Sequence, residues 1–204
     1  TRLTDGTGVQ TCALPIFFGV GLNEVTREMR SRAKTANFGI IYGISSYGLS
    51  ERLTIARKEA KELIDGYFSS YPGVKVFMDE SIRKAREKGY VTTMFGRRRY
   101  LRDINSRNQV VRGNAERNAI NAPIQGSAAD IIKIAMIRID KRLREENLRS
   151  KMILQVHDEL IFEVPGNELD KLSALVTAEM SDAAQLVVPL KVDHGTGRNW
   201  FEAK

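Results

Sequence analysis

Residues 30–43 read RSRAKTANFGIIYG, and four of these side chains recur at every fourth position: Arg30, Lys34, Phe38 and Tyr42. On an α-helix a four-residue step makes one slowly drifting stripe. From first to last the stripe is about 18 Å long at helical rise, and its chemistry changes from two cations to two aromatic rings. That is the order of groups in a nucleoside triphosphate, phosphates at one end and base at the other. The cations lie toward the helix N-terminus, where unpaired N–H groups and the helix dipole already favour an anion. A second reading fits the same spacing: an amphipathic helix that buries Phe38, Ile41 and Tyr42 in a core and leaves Arg30 and Lys34 in water. Residues elsewhere in the chain must separate the two.

Composition bounds the choice without making it. The chain has 204 residues, 42% of them hydrophobic, enough for the core of one large domain or two small ones. Its net charge of +7 permits a polyanionic partner, a property shared with many basic proteins. No apolar run approaches the roughly 20 residues of a membrane span, and no secretory signal is visible, so an intracellular protein without a membrane partner is expected. The single cysteine, Cys12, leaves no internal disulfide and no cysteine metal site.

Outward from the opening helix, residues 44–48 form a Gly- and Ser-containing break, and residues 49–71 read as two charged helices around 54–57. Tyr71-Pro72-Gly73 is a turn, residues 74–88 return to helical spacing, and Gly89 ends that helix. Residues 90–101 alternate around Phe95-Gly96 as a hairpin. Its run Arg97-Arg98-Arg99 is either a solvated face or a set of phosphate contacts. Residues 108–121 are helical again; Pro123 breaks the helix, and Asn121 caps the next. That next helix, 124–143, carries a broad apolar stripe that includes Ile124, Ala128, Ile131, Ile132, Ala135, Met136, Ile139 and Leu143 and reads as a core helix. Residues 152–156 and 160–164 are short apolar runs that flank His157-Asp158-Glu159 as a tight hairpin. Residues 168–184 read as a helix and 186–192 as a strand. The sum is an α+β fold.

Phosphoryl transfer from a triphosphate needs metal ions between carboxylates and phosphate oxygens, and magnesium keeps few protein ligands. Asp158 at a hairpin bend suits one such ligand, with Glu159 adding negative charge beside it. Polar residues at a hairpin tip also serve as plain turn chemistry. His157 has no second His or Cys near it in sequence and is not read as a transition-metal ligand.

Three blocks together resemble DNA polymerase family A, the bacterial DNA polymerase I type. They are Arg30, Lys34, Phe38, Tyr42 and Gly43; RNAINAPIQGSAADIIK from Arg117; and LQVHDELIFEV around Asp158. The resemblance implies a helical fingers region, 17–118, followed by part of a palm, 119–204, with an antiparallel sheet and packed helices. It implies that Arg30 and Lys34 hold the phosphates, Phe38 stacks against sugar and base, Tyr42 lies near the templating base, and Gly43 lets the helix end close by. Phe38, where some relatives carry Tyr, implies a preference for ordinary deoxynucleotides over chain terminators. Arg117, Asn121 and Gln125 would touch template and primer in the minor groove, where nearly every base pair offers the same acceptors. His157 would contact the primer terminus, Asp158 would be a metal ligand and Glu159 an auxiliary acid; Lys34 and Asp158 are the expected catalytic residues with Glu159. The implied cofactor is Mg2+, two ions in the complete enzyme. The implied partners are primer-template DNA and deoxynucleoside triphosphates, for a monomeric bacterial enzyme of the cytoplasm and nucleoid.

Residues 1–16, which include TGVQTCALPI at 7–16, resemble the translation of a short-read sequencing adapter, and the likeness to the family is expected to begin near Phe17. Gly197-Arg198-Asn199-Trp200 resembles the family's C-terminal end, so the chain is expected to stop where its parent stops. The family's other aspartate motif, Asp followed by Tyr-Ser-Gln, is not in the chain. Two expectations come from this: the chain alone does not polymerise, and the hairpin strands keep an open sheet edge prone to aggregation. The competing reading is a non-catalytic basic module that binds nucleic acid through residues 97–99. A metal nuclease needs more clustered acids or histidines than the sequence supplies.

Overall fold

In a computed structural model, the structure describes residues 24–203 together with the backbone of Arg2 and Leu3. The expectations for Cys12 and for most of residues 1–16 lie outside the described residues. The chain divides into two compact units, residues 6–127 and residues 1–5 with 128–204. Both together are α+β, as expected.

In the first unit, helix α1 (Arg27–Ile41) starts at Thr26, whose hydroxyl accepts the Met29 N–H at 3.2 Å. It ends in a Schellman cap: Gly43 at φ 74° donates to the Ile40 carbonyl and Ile44 to the Gly39 carbonyl, both at 2.9 Å. Helix α2 (Ser46–Leu53) is capped by Ser45 and stops at left-handed Thr54, and α3 (Arg57–Ser70) follows. Buried Ala36, Leu49 and Ala60 join these three helices, with Ile44, Leu53 and Ile64 packed around them. Helix α4 (Pro72–Lys88) has proline in its first turn, where the missing N–H costs nothing, and left-handed Gly89 at its end. Strands β2 (Tyr90–Thr92) and β3 (Arg98–Tyr100) pair antiparallel, with Tyr90 opposite Tyr100.

The long helix α5 (Gln109–Glu145) continues through Pro123. This corrects the expected helix-break-helix: the side chain of Asn108, not Asn121, caps the helix, accepting the Val110 N–H at 2.9 Å. Proline removes one donor and crowds one carbonyl, and the packing on both sides of it outweighs that local loss. Ala115, Ala119 and Ala122 bury their face of α5 against Val91, Leu101 and Ile104. The division between 127 and 128 falls inside α5; the sequence reading placed it after residue 118. Ile124 and Ala128, expected in the core, are exposed.

In the second unit, α5 contributes Ile131, Ile132, Ala135, Ile139 and Leu143 to a core closed by Leu160 and by Leu172, Leu175, Val176 and Met180 of α6 (Leu169–Ser181). The sheet order is β4-β5-β1-β6, made of β4 (Lys151–Val156), β5 (Glu159–Glu163), β1 (Arg2–Leu3) and β6 (Val192–Asp193). The expected open edge is filled only in part: Arg2 pairs with Glu159 of β5, while β4 stays at an edge of the sheet. The strand expected over 186–192 shrinks to Val192–Asp193, because Pro189 has no N–H for a ladder bond. Among the described residues no helix is long and apolar enough to cross a membrane.

Candidate nucleic-acid interface

The packing of α1 shows which of its faces is buried. Its buried face is Ala33, Ala36, Asn37, Gly39 and Ile40. Arg30, Lys34, Phe38 and Tyr42 are all exposed, with Phe38 at 39% and Tyr42 at 37%. The two rings stack on each other, centroids 6.1 Å apart and planes 23° off parallel. Neither Arg30 nor Lys34 makes a side-chain ion pair or hydrogen bond among the described residues. An amphipathic helix would have turned both aromatics inward. This one spends its small residues on the core and presents a face of two cations and two stacked rings to solvent.

The core face of α1 holds a contact that the local sequence does not signal. Asn37, 2% exposed, accepts a hydrogen bond from the Tyr67 hydroxyl of α3 at 2.9 Å. Burial, with the neighbouring Tyr71, pushes the Tyr67 hydroxyl above its ordinary pKa, so it stays a donor. Asparagine inside a helix is a poor helix former, and that was the one available hint. Its partner is thirty positions away in sequence.

The left-handed end of α1 packs toward α5. A side chain at Gly43 would meet the Arg117 Cγ at 3.4 Å and Ile120 at 3.9 Å. Because α5 is continuous, Arg117, Asn121 and Gln125 fall at four-residue steps on one face. Arg117 and Gln125 are exposed, and Arg117 also donates to the Asn114 side chain. The Asn121 Oδ1 is buried and accepts no hydrogen bond among the described residues. Of the three arginines of the hairpin, Arg97 donates to the Gly126 carbonyl at 3.0 Å and Arg99 to the Asn118 Oδ1 at 3.3 Å. Arg98 lies over the Tyr90 ring, 4.7 Å from its centroid.

In the second unit, His157 and Asp158 form a two-residue loop between β4 and β5, with Val156 paired to Glu159. His157 adopts φ 54°, a left-handed conformation that costs a non-glycine residue of order 1 kcal/mol and exposes the bend. The Gln155 side chain donates to the His157 carbonyl at 3.0 Å and braces the bend. His157 and Asp158 are exposed and Glu159 is half-buried. The carboxylate oxygens of Asp158 and Glu159 are the kind of donor that a hard divalent cation takes. Among the described residues no three His, Cys, Asp or Glu side chains gather into a metal-holding group.

A sequence model of DNA polymerase family A matches residues 9–202, beginning ahead of Phe17. The DNA polymerase I of Geobacillus stearothermophilus is 55% identical over 199 residues, which is 98% of this chain and 23% of that protein. The DNA polymerase I of Bacillus caldotenax is 57% identical over 188 residues, 92% of this chain and 21% of that protein. Among solved structures, the POL domain of Pol1 from M. smegmatis in complex with DNA primer-template and dNTP matches with a TM-score of 0.93. It is 46% identical, and the match covers 97% of this chain and 35% of that one. The chain spans less than a quarter of the length of these curated relatives.

Proposed function

Because the chain belongs to DNA polymerase family A, we propose that it carries the nucleotide-binding helix and the minor-groove face of a DNA-directed DNA polymerase. The complete enzyme adds deoxynucleotides to a primer 3′ end on a DNA template, as a monomer, in the bacterial cytoplasm at the nucleoid. The observation that carries this reading is the outward face of α1, where Arg30 and Lys34 precede the stacked Phe38 and Tyr42.

In this reading Arg30 and Lys34 bind the triphosphate, with charge-assisted contacts that strengthen as charge builds on the leaving phosphates. Phe38 offers its ring to the sugar and base, and Tyr42 closes the stripe near the templating base. Arg117, Asn121 and Gln125 donate to minor-groove acceptors, which test the shape of a base pair without reading its sequence. His157 touches the primer end. Asp158, with Glu159 beside it, would hold a divalent ion, Mg2+, which when bound would supply positive charge against the phosphates. Two ions need more carboxylates than the one bend supplies, so this chain alone is proposed not to extend a primer.

The test is nucleotide binding by the purified chain, followed by the NMR signals of Phe38 and Tyr42. A deoxynucleoside triphosphate should bind saturably, and Lys34→Ala should weaken it by about tenfold, the size of one charge-assisted contact. A basic module of the competing kind would bind DNA in a salt-dependent way and leave these rings unmoved by nucleotide. That result would discard the polymerase assignment of the stripe.

A further inference from the structure

Pro123 sits inside α5, two residues before Gln125 and two after Asn121, and proline deprives its turn of one backbone hydrogen bond. The β2–β3 hairpin lies along that stretch and supports it through its own backbone and side chains. The Arg97 guanidinium donates to the Gly126 carbonyl at 3.0 Å. The Met94 N–H donates to the Ser127 hydroxyl at 2.9 Å, and that hydroxyl donates to the Pro123 carbonyl at 2.5 Å. Buried Thr93 approaches so closely that a Cβ at Gly126 would stand 2.7 Å from its Cγ2. Farther along the helix, Arg99 reaches the Asn118 side chain. Thr93, Arg97, Arg98, Arg99, Gln125 and Gly126 all line one small cleft between hairpin and helix.

We propose that the β2–β3 hairpin is a clamp that sets the presentation of Asn121 and Gln125, with Arg97 and Ser127 as its positioning residues. Two of the three consecutive arginines then serve the helix rather than a phosphate. The clamp acts beside the turn 119–123, which has one backbone hydrogen bond fewer because Pro123 lacks an N–H, and so resists rotation of the groups it carries less well. Glycine at 126 is required by the approach of Thr93, and the guanidinium on its carbonyl binds the same residue from the other side. The inference rests on the reading of Asn121 and Gln125 as base-edge contacts.

The experiment uses the 204-residue chain with Arg97→Ala and Ser127→Ala, and with Arg107→Ala as a control that removes one exposed charge outside the two hairpin strands. Two quantities are measured: hydrogen exchange of the amides at 124–128, and the ratio of affinities for primer-templates with a matched or a mismatched terminal pair. Arg97→Ala should speed exchange there by about tenfold, the size of one charged hydrogen bond, and lower the affinity ratio by about threefold. Ser127→Ala should do the same in lesser degree, and Arg107→Ala should change neither. Unchanged exchange in Arg97→Ala would overturn the clamp, as would faster exchange with an unchanged ratio. If the unaltered chain does not bind DNA, the proposed function falls by itself, and exchange at 124–128 still decides whether the hairpin holds the helix.

Discussion

Tyr67→Phe should destabilise the first unit by about 2 kcal/mol, because it deletes one hydroxyl and leaves the buried Asn37 Oδ1 without its donor. Both residues are 2% exposed, so water cannot replace the lost partner without opening the helix contact. The ring itself is kept, along with its contacts to Phe68 at 5.8 Å and Tyr71 at 5.1 Å, so little of the loss comes from packing. An unsatisfied buried acceptor costs about 1–3 kcal/mol, and the middle of that range applies to a neutral amide oxygen. Equilibrium urea unfolding reads the loss as a lower midpoint at constant slope, by about 1 M for a slope near 2 kcal/mol/M. The decisive comparison is the double variant Tyr67→Phe with Asn37→Leu, which removes donor and acceptor together. It should be more stable than the sum of the single losses allows, by about 1 kcal/mol or more. Additive losses, or a Tyr67→Phe midpoint within about 0.2 M of the unaltered chain, would refute the view that this bond anchors α1.

Gly43→Ala should cost about 1–2 kcal/mol, measured by thermal unfolding, because φ 74° is strained for any Cβ, while contact with Arg117 at 3.4 Å is ordinary. Gly43→Asn should lose less, and an alanine variant as stable as the parent would contradict the Schellman assignment. The Glu168 carboxylate accepts from the Ser150 hydroxyl and from the Arg149 and Ser150 N–H groups, which hold its pKa below the ordinary value. A lowered folded pKa gives stability that is present above the unfolded value, about 4.3, and is lost as pH falls through the folded one. Melting temperature against pH should therefore drop more steeply below about pH 4.5 in the parent than in Glu168→Gln; parallel curves would rule this out. In a full-length polymerase that carries this segment, Asp158→Ala should reduce primer extension at least a hundredfold or so, whereas near-normal extension would remove Asp158 from the site.

Gly89 was legible in a short window as a helix end, and Thr26, Gly43 and Pro72 act in the same way, each through its own backbone preference, so that the effect travels no farther than a turn. Pro123 shows where such windows fail: a local penalty of a few kcal/mol was outweighed by apolar packing on both sides of it. Residues 186–191 show the converse, apolar positions that look like a strand and have Pro189 in the ladder. The partner of Glu159 in the sheet was not legible because β1 lies more than a hundred and fifty positions from β5 in sequence and is only two residues long. Of the candidate site, the α1 stripe was legible as spacing and the acid bend as a polar turn between apolar runs, whereas Arg117, Asn121 and Gln125 came through the family resemblance and share one face only because α5 continues through Pro123. The Asn37–Tyr67 bond and the hairpin clamp were not legible, since neither partner carries a local mark of the other.

By itself the sequence determined the family, through three motifs in order, and named the groups proposed to face a nucleotide or a base pair. Spacing along a helix is a property of the backbone, so a four-residue recurrence already assigns side chains to one face. Which face looks outward is a property of everything packed behind it. The tertiary structure decided that, by burying Ala33, Ala36, Asn37 and Ile40 and leaving Phe38 and Tyr42 stacked in the open beside Arg30 and Lys34. The physical reason is that small side chains let α1 approach its neighbours closely, and the bulky rings, excluded from that contact, stay on the solvent side.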